Sequence, residues 1–239
     1  PILSSEKNNN LYYKYFLSFI VIMPIIFLLI TQPDIGQTFL VFLTWLSLIF
    51  ISGINLVFFF LFFGLMLIFL LYLIFFVTKF GYILIRLKSF FDPSSGNNYQ
   101  SEKASEAIIN GGFFGKGIGE GILKNRVPEA HTDYVIAIIS EEYGSIVSVM
   151  IISIFLYISF RIIKNCFNQD IYFTKISLCG LATLLIFQTF IHARVNTNLI
   201  PTTGMTLPFL SYGGSSLMGS AILAGVILNY TKNKVYLYD

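Results

Sequence analysis

Apolar residues in this chain run in long unbroken blocks, and polar residues are crowded into the stretches between them. The clearest block, Ile54 to Thr78, carries no charge over 25 positions, more than the roughly 20 residues a helix needs to cross about 30 Å of hydrocarbon. Comparable blocks at about 11–31, 36–53, 134–160, 171–193 and 209–230 are bounded by polar residues, glycine or proline. A barrel strand would alternate over about ten residues, so continuous runs predict helices. The expected fold is all-α: a polytopic membrane helix bundle, one domain over 1–239, with six spans and one long polar loop at 86–133.

Composition fits that pattern. With 56% hydrophobic residues, 11% charged and a mean hydropathy of +0.77, a soluble globular domain is excluded. An even number of spans puts both termini on one side, and Lys7, Lys14, Lys232 and Lys234 predict the cytoplasm. The loop, however, carries Arg86, Lys88, Lys103, Lys116, Lys124 and Arg126, so basic residues are about as frequent on the opposite side. Either the topology is reversed or those cations have a function. The two cysteines, Cys166 and Cys179, have neither disulfide-framework nor metal-ligand spacing and receive no role. The chain begins with Pro1 rather than Met, and no targeting segment precedes the first block, which predicts the C-terminal part of something longer. Internal repeats are not evident, and Asn8–Asn10 and Ser94–Asn98 read as polar linkers.

Polar chemistry concentrates in the 86–133 loop, with six basic and six acidic residues and a glycine-dense run from Gly111 to Gly121. Loops this long are either functional or disordered. Phe113, Phe114, Ile118, Ile122 and Leu123 are apolar anchors that argue against disorder, while Gly115 and Gly117 permit close backbone approach to a ligand. A flexible re-entrant turn is the plainer alternative. The spacing fails the phosphate-loop pattern, so no nucleotide site is expected.

The loop ends in Pro128-Glu129-Ala130-His131-Thr132-Asp133 and runs directly into an apolar block. Pro128 is expected to stop the preceding segment from continuing as helix. Asp133 is a candidate for chemistry, with Glu129 and His131 beside it; the competing reading is that Asp133 or Thr132 simply caps the following helix. Glu141 and Glu142 are expected on that same helix, with Glu141 about 12 Å deeper and roughly 80° round. Buried carboxylates at such depth face a cavity or pair with cations on neighbouring helices. Near the C-terminus, Pro201 to Pro208 followed by Ser211-Tyr212-Gly213-Gly214-Ser215-Ser216 predicts a broken or re-entrant helix lining a cavity. Small-residue packing would explain Gly213 and Gly214 but not the hydroxyls of Ser211, Ser215 and Ser216.

Five blocks, in order and over nearly the whole chain, carry a resemblance: Gln32-Pro33-Asp34-Ile35-Gly36, Gly111 to Gly121, Pro128 to Asp133, Glu141-Glu142-Tyr143-Gly144, and Pro201 to Ser216. Together they resemble the SEDS family of bacterial shape, elongation, division and sporulation proteins. Glu120-Gly121, Gly204 to Pro208 and the Gln after Gly36 are closer to the family's division branch than to its elongation branch. The resemblance implies a ten-span peptidoglycan glycosyltransferase that polymerises lipid II on the outer face of the bacterial cytoplasmic membrane. About four spans would then be missing from this chain, and the chain alone would be inactive. It further implies a cognate class B penicillin-binding transpeptidase and other divisome membrane proteins as partners, and no nucleic acid. It also places the 86–133 loop outside, where cations meet a diphosphate.

The family's catalytic aspartate falls on Asp133, implying a general base for the acceptor 4-hydroxyl, with undecaprenyl diphosphate as leaving group. His131 would orient or tune it, and Glu129 would support it. Arg86, Lys116 or Lys124, or a divalent cation such as Mg or Mn, would neutralise the diphosphate; no organic cofactor is implied. Gly115, Gly117, Ser211, Gly213, Gly214, Ser215 and Ser216 fall in the family's substrate-facing blocks. Gln32, Pro33, Asp34, Glu141, Glu142, Pro201 and Pro208 would shape the cavity. His192-Ala193-Arg194 stands where most members read Asn-x-Gly; Arg194 would contact phosphate or snorkel to headgroups. The alternative functions are a lipid-linked precursor flippase and a non-catalytic divisome scaffold.

Overall fold

The computed structural model describes residues 2–4, 11–76, 81–91, 99–127 and 129–232. Lys7, Asn8–Asn10, Thr78, Ser94–Asn98, Pro128 and Lys234 lie outside the described residues. Among those described the regular structure is helical: α1 Leu11–Thr31, α2 Ile35–Ile51, α3 Leu56–Phe76, α4 Gly81–Phe91, α5 Tyr99–Gly111, α6 Leu123–Arg126, α7 Val135–Tyr143, α8 Ser145–Phe167, α9 Tyr172–Asn196 and α10 Gly214–Thr231. Three helices are long and apolar enough to cross a membrane: Tyr12–Thr31, Ser145–Phe167 and Tyr172–Asn196. The other three predicted blocks are helical too, but α2 has 17 residues and α10 has 18 with a glycine- and serine-rich first half, while α3 is apolar throughout.

Two features differ from the pattern expected of the sequence. The block at 134–160 is two helices, because Gly144 adopts φ +92° and its N–H returns to the Ser140 carbonyl, closing α7. The span proper therefore starts at Ser145 and reaches Phe167. Nor is the 86–133 stretch a plain loop, since it holds the end of α4 and all of α5 and α6. Helix α5 buries Ser101, Ala104, Ala107 and Gly111. That stripe of small residues at near-helical spacing lets α5 lie close against α7. A Cβ at Gly111 would run into the Ser140 carbonyl of α7.

The glycine-dense run that follows clasps the α7–α8 break. Gly112 O accepts from Ser145 N (2.9 Å), while the N–H groups of Lys116 and Gly117 donate to Glu141 O (2.9 Å) and Glu142 O (3.1 Å). Gly115 is at φ +80°, and any side chain there would meet the Glu142 backbone. These glycines are required because two backbones meet here. Glycine is the residue that tolerates both the closeness and the left-handed φ.

Helices α8 and α9 form the most extensive pair, and α2 packs on α9. One core cluster joins Leu40 of α2, Ala104 and Ala107 of α5, Leu123, Val127, Ala130, Tyr134, Ala137 of α7, Ile191 and Val195 of α9, and Met205. A second joins α8, α9 and α10, and a third joins α1 to α2 around Trp45. The first lies beneath the loop that ends at Asp133. Cys166 and Cys179, which spacing left without a role, meet across α8 and α9 with their sulfurs bonded.

Candidate active site

Residues Glu129 to Asp133 form a tight turn: the N–H groups of Thr132 and Asp133 both donate to the Glu129 carbonyl, at 3.1 and 3.0 Å. The Thr132 hydroxyl donates to the same oxygen (2.9 Å). Neither Thr132 nor Asp133 caps the next helix. Tyr134 occupies the cap position of α7 without a side-chain cap bond, and the Ala137 N–H is instead taken by the Asn196 side chain from the end of α9 (3.0 Å). The capping alternative for Asp133 therefore falls, and its carboxylate is not spent on a helix cap.

The turn is held from the C-terminal third of the chain, one carbonyl at a time. Tyr212 N–H donates to His131 O (3.0 Å), Ser211 Oγ to Thr132 O (2.6 Å), and Asn196 Nδ2 to Asp133 O (3.0 Å). Residues 197–213 between α9 and α10 contain no helix. This strap also packs on the N-terminus of α2, where a Cβ on Gly36 would collide with Thr203. The expectation of a broken helix at Pro201 to Ser216 thus resolves into a non-helical strap up to Gly213 that enters α10 at Gly214. Within it Gly204 has φ +69°, and a Cβ built there would lie 3.8 Å from Asp133 Oδ2.

Three charged groups act on Asp133. Burial is the main reason its carboxyl is raised to about 6; Glu129 adds charge repulsion and a hydrogen bond between the two carboxyls, Arg86 opposes the rise, and Asp34 adds slightly to it. The neighbouring Tyr134 hydroxyl, almost wholly buried, is pushed up by burial and by the charges of Asp133 and Glu129. Arg86, on α4, reaches across to donate to Thr202 O (3.3 Å). Asp34 caps α2 by accepting from Gln37 N–H (3.0 Å). Gln32 and Pro33 beside it are exposed. Among the described residues no group of three or more His, Cys, Asp and Glu side chains is placed to hold a metal ion.

The remaining expected site residues divide by position. His131 is exposed and is not among the groups that shift Asp133; only its backbone is engaged. Lys116, Lys124, Gly115 and Gly117 lie at the other end of α7 from Asp133, about 13 Å along a nine-residue helix. Lys124 pairs there with Glu142 Oε1 (3.0 Å). Buried Glu141 takes the Leu123 N–H (2.9 Å), so its partner is a backbone amide and not the cation expected from sequence. Ser211 is buried and its hydroxyl is fully used, donating to Thr132 O and accepting from Leu207 N (2.8 Å).

Two cavities open along the strap. One, of about 430 Å³, is lined by Gln37, Gln188, Gly204, Thr206, Ser215 and Ser216 among others; the Thr206 and Ser216 hydroxyls bond to each other at 2.8 Å. The other, of about 700 Å³, is bordered by His131, Val135 and the Phe209–Gly214 segment with Leu217. Gly213, Gly214, Ser215 and Ser216 thus face cavities at the start of α10, as a cavity-lining block would. Pro201 is half-buried and Pro208 is buried in the strap. Arg194 stacks on Phe190, 4.7 Å from the ring centroid.

Sequence reasoning missed Asn196 and the role of Gly204. Asn196 follows buried His192 by one helical turn, a spacing visible in the chain, but its partners are 59 and 63 residues away and nothing local announces them.

Known proteins with this pattern are numerous. The family model FtsW/RodA/SpoVE, described as cell cycle protein, matches residues 2–236. "Probable peptidoglycan glycosyltransferase FtsW" of Caulobacter vibrioides is 34% identical over 212 residues, covering 89% of this chain and 54% of that protein. The protein of the same description from Buchnera aphidicola subsp. Baizongia pistaciae is 38% identical over 225 residues, covering 90% of this chain and 58% of that protein. The chain thus spans little more than half the length of these curated relatives. A chain in the solved structure described as "Structural coordination of polymerization and crosslinking by a peptidoglycan synthase complex" superposes with a TM-score of 0.72 at 25% identity, covering 95% of this chain and 64% of that one.

Proposed function

The chain belongs to the FtsW/RodA/SpoVE family of cell cycle proteins, a family of multi-pass membrane proteins, and from that premise we propose that it carries the catalytic half of a peptidoglycan glycosyltransferase acting on lipid II in septal wall synthesis. The observation that carries this reading is the position of Asp133: partly buried, held through its backbone, relieved of capping, within the field of Arg86, and next to Gly204, which lines a cavity.

Glycan extension requires the acceptor's 4-hydroxyl to lose its proton as its oxygen bonds to the donor's anomeric carbon and the bond to undecaprenyl diphosphate breaks. Asp133 takes that proton. A base works best with a pKa near the operating pH, and a carboxyl raised to about 6 is far better matched than one of ordinary acidity. Arg86 is the cation assigned to the diphosphate. One guanidinium N–H is held by Thr202 O, which leaves others for phosphate oxygens in a forked geometry. Lys116 and Lys124 are set aside because of their distance along α7 and the engagement of Lys124 with Glu142. Glu129, whose charge helps raise the Asp133 carboxyl, is the carboxylate that would complete the shell of a Mg or Mn ion carried by the diphosphate, where the ion would supply charge neutralisation.

The proposal includes six crossings, both ends of this chain in the cytoplasm of a bacterial inner membrane, the Asp133 turn on the outer face, and a class B transpeptidase as partner. Asp133→Asn tests the chemistry. Assayed as the full chain with its partner in detergent, where nothing has to cross a membrane, lipid II polymerisation should fall by about 10²- to 10⁴-fold, the usual contribution of a general base. Undiminished polymer would reject the catalytic role and leave a transporter or a scaffold; a scaffold predicts that the same variant supports division normally.

A further inference from the structure

An aspartate that abstracts a proton must be held within a fraction of an ångström, because a displacement of about 1 Å can cost on the order of 10²-fold in rate. Asp133 lies in a non-helical turn, so its own chain does not supply that rigidity. The restraint comes from elsewhere. Asn196 is wholly buried at the end of α9, and its carboxamide ties Asp133 to the first turn of α7: Nδ2 donates to Asp133 O (3.0 Å), and Oδ1 accepts from Ala137 N–H (3.0 Å). The same Nδ2 group bonds to His192 O (2.8 Å) and lies 3.3 Å from His192 Nδ1, so the amide cannot swing away without losing every partner. His192 is itself fully buried one turn before Asn196, and its ring also interacts with the Thr132 backbone. From the strap, Ser211 Oγ holds the next carbonyl, Thr132 O, at 2.6 Å.

We propose that Asn196 and Ser211 are positioning residues, a two-sided clamp on the turn that carries Asp133, joining the end of α9 to the α9–α10 strap. The clamp rests on the reading of Asp133 as the base. Neither side chain touches the reacting atoms, and both act through the backbone on either side of the carboxylate's Cα. The buried His192 belongs to the support of Asn196 and not to the substrate surface.

The experiment measures kcat and KM for lipid II polymerisation, with thermal stability, on the full chain with its partner. Asn196→Ala is expected to lower kcat by about 10²-fold with KM little changed. Ser211→Ala should lower kcat by about tenfold, and Ser211→Thr, which keeps the hydroxyl, should recover most of it. If Asn196→Ala fails to fold, the Ser211 pair carries the test. A parent-like kcat in either alanine variant, or a loss that appears only in KM or tracks a lowered melting temperature, would overturn the clamp. Asp133→Asn measured alongside separates the two ideas: if it polymerises at the parent rate the base assignment fails, whereas an inactive Asp133→Asn with parent-like Asn196→Ala and Ser211→Ala sinks only the clamp.

Discussion

An aspartate in water ionises near 3.9, so the rise of Asp133 to about 6 sets where activity switches on. Since kcat/KM follows the free enzyme's essential base, polymerisation should climb as pH rises through about 6 and then level off. Glu129→Gln removes the like charge but leaves the larger effect of burial, so the limb should move to lower pH without vanishing. Initial rates on both sides of pH 6 check this, and a limb that Glu129→Gln leaves in place would show that Glu129 does not act on Asp133. Stability has the opposite sign. Because the folded chain holds this proton more tightly than the unfolded one, the contribution is present below about 4 and is lost as pH rises through about 6. The ionised base is therefore maintained against folding, which is why the clamp around it matters. Asp133, Glu129 and Arg86 could all be picked out of the sequence, because charged groups at a membrane boundary are conspicuous. Asn196 could not, since an amide at a helix end has many ordinary uses and its meaning lies in partners far along the chain.

The break at Gly144 is what separates a site-bearing helix from a span. Residue runs do not reveal it: Val135 to Phe160 carries no charge apart from Glu141 and Glu142, and hydropathy alone carries the helix through. The signal was the glycine after Glu141-Glu142-Tyr143, together with a second glycine-dense run that needed something to clasp. Similarly α5 was hidden by its polar composition, although Ser101, Ala104, Ala107 and Gly111 already marked a face of small residues. Two glycines with nearly equal φ test the clasp. Gly53, at +88°, has nothing within 4 Å of a built Cβ, whereas a Cβ at Gly144, at +92°, would strike the Phe113 carbonyl and come within 2.7 Å of Phe114 backbone. Gly53→Ala should cost only the left-handed penalty, roughly 1 to 2 kcal/mol. Gly144→Ala adds a backbone overlap and should cost more, about 3 kcal/mol or above. Thermal unfolding in detergent compares them, and equal losses would mean that the run from Gly111 does not hold the junction.

At the scale of the whole molecule, topology decides whether Asp133 meets its substrate. Hydropathy located the six apolar helices, three of which meet the length and composition of a span among the described residues, whereas the 17-residue α2 extends about 25 Å, short enough to need local thinning or help from its neighbours. The balance of lysine and arginine was no guide, because part of the outer charge is spent on structure, as the Lys124–Glu142 pair illustrates. The proposed six crossings, with both ends in the cytoplasm, would put the Ser52–Asn55 and Asn168–Ile171 connections on the cytoplasmic side and the Gly112–Gly121 run on the other. That arrangement can be read with single cysteines in a background of Cys166→Ser and Cys179→Ser. On intact cells a membrane-impermeant maleimide should label Glu120→Cys, which is exposed in the glycine run, while Gly53→Cys and Gln169→Cys should label only after permeabilisation. The reversed pattern would place the Asp133 turn in the cytoplasm and remove it from outer-face polymerisation. Labelling of Gly53→Cys alone on intact cells would mean that α1 and α2 do not both cross, which would separate Asp34 from the face that carries Asp133 and break the four-charge cluster on which the site depends.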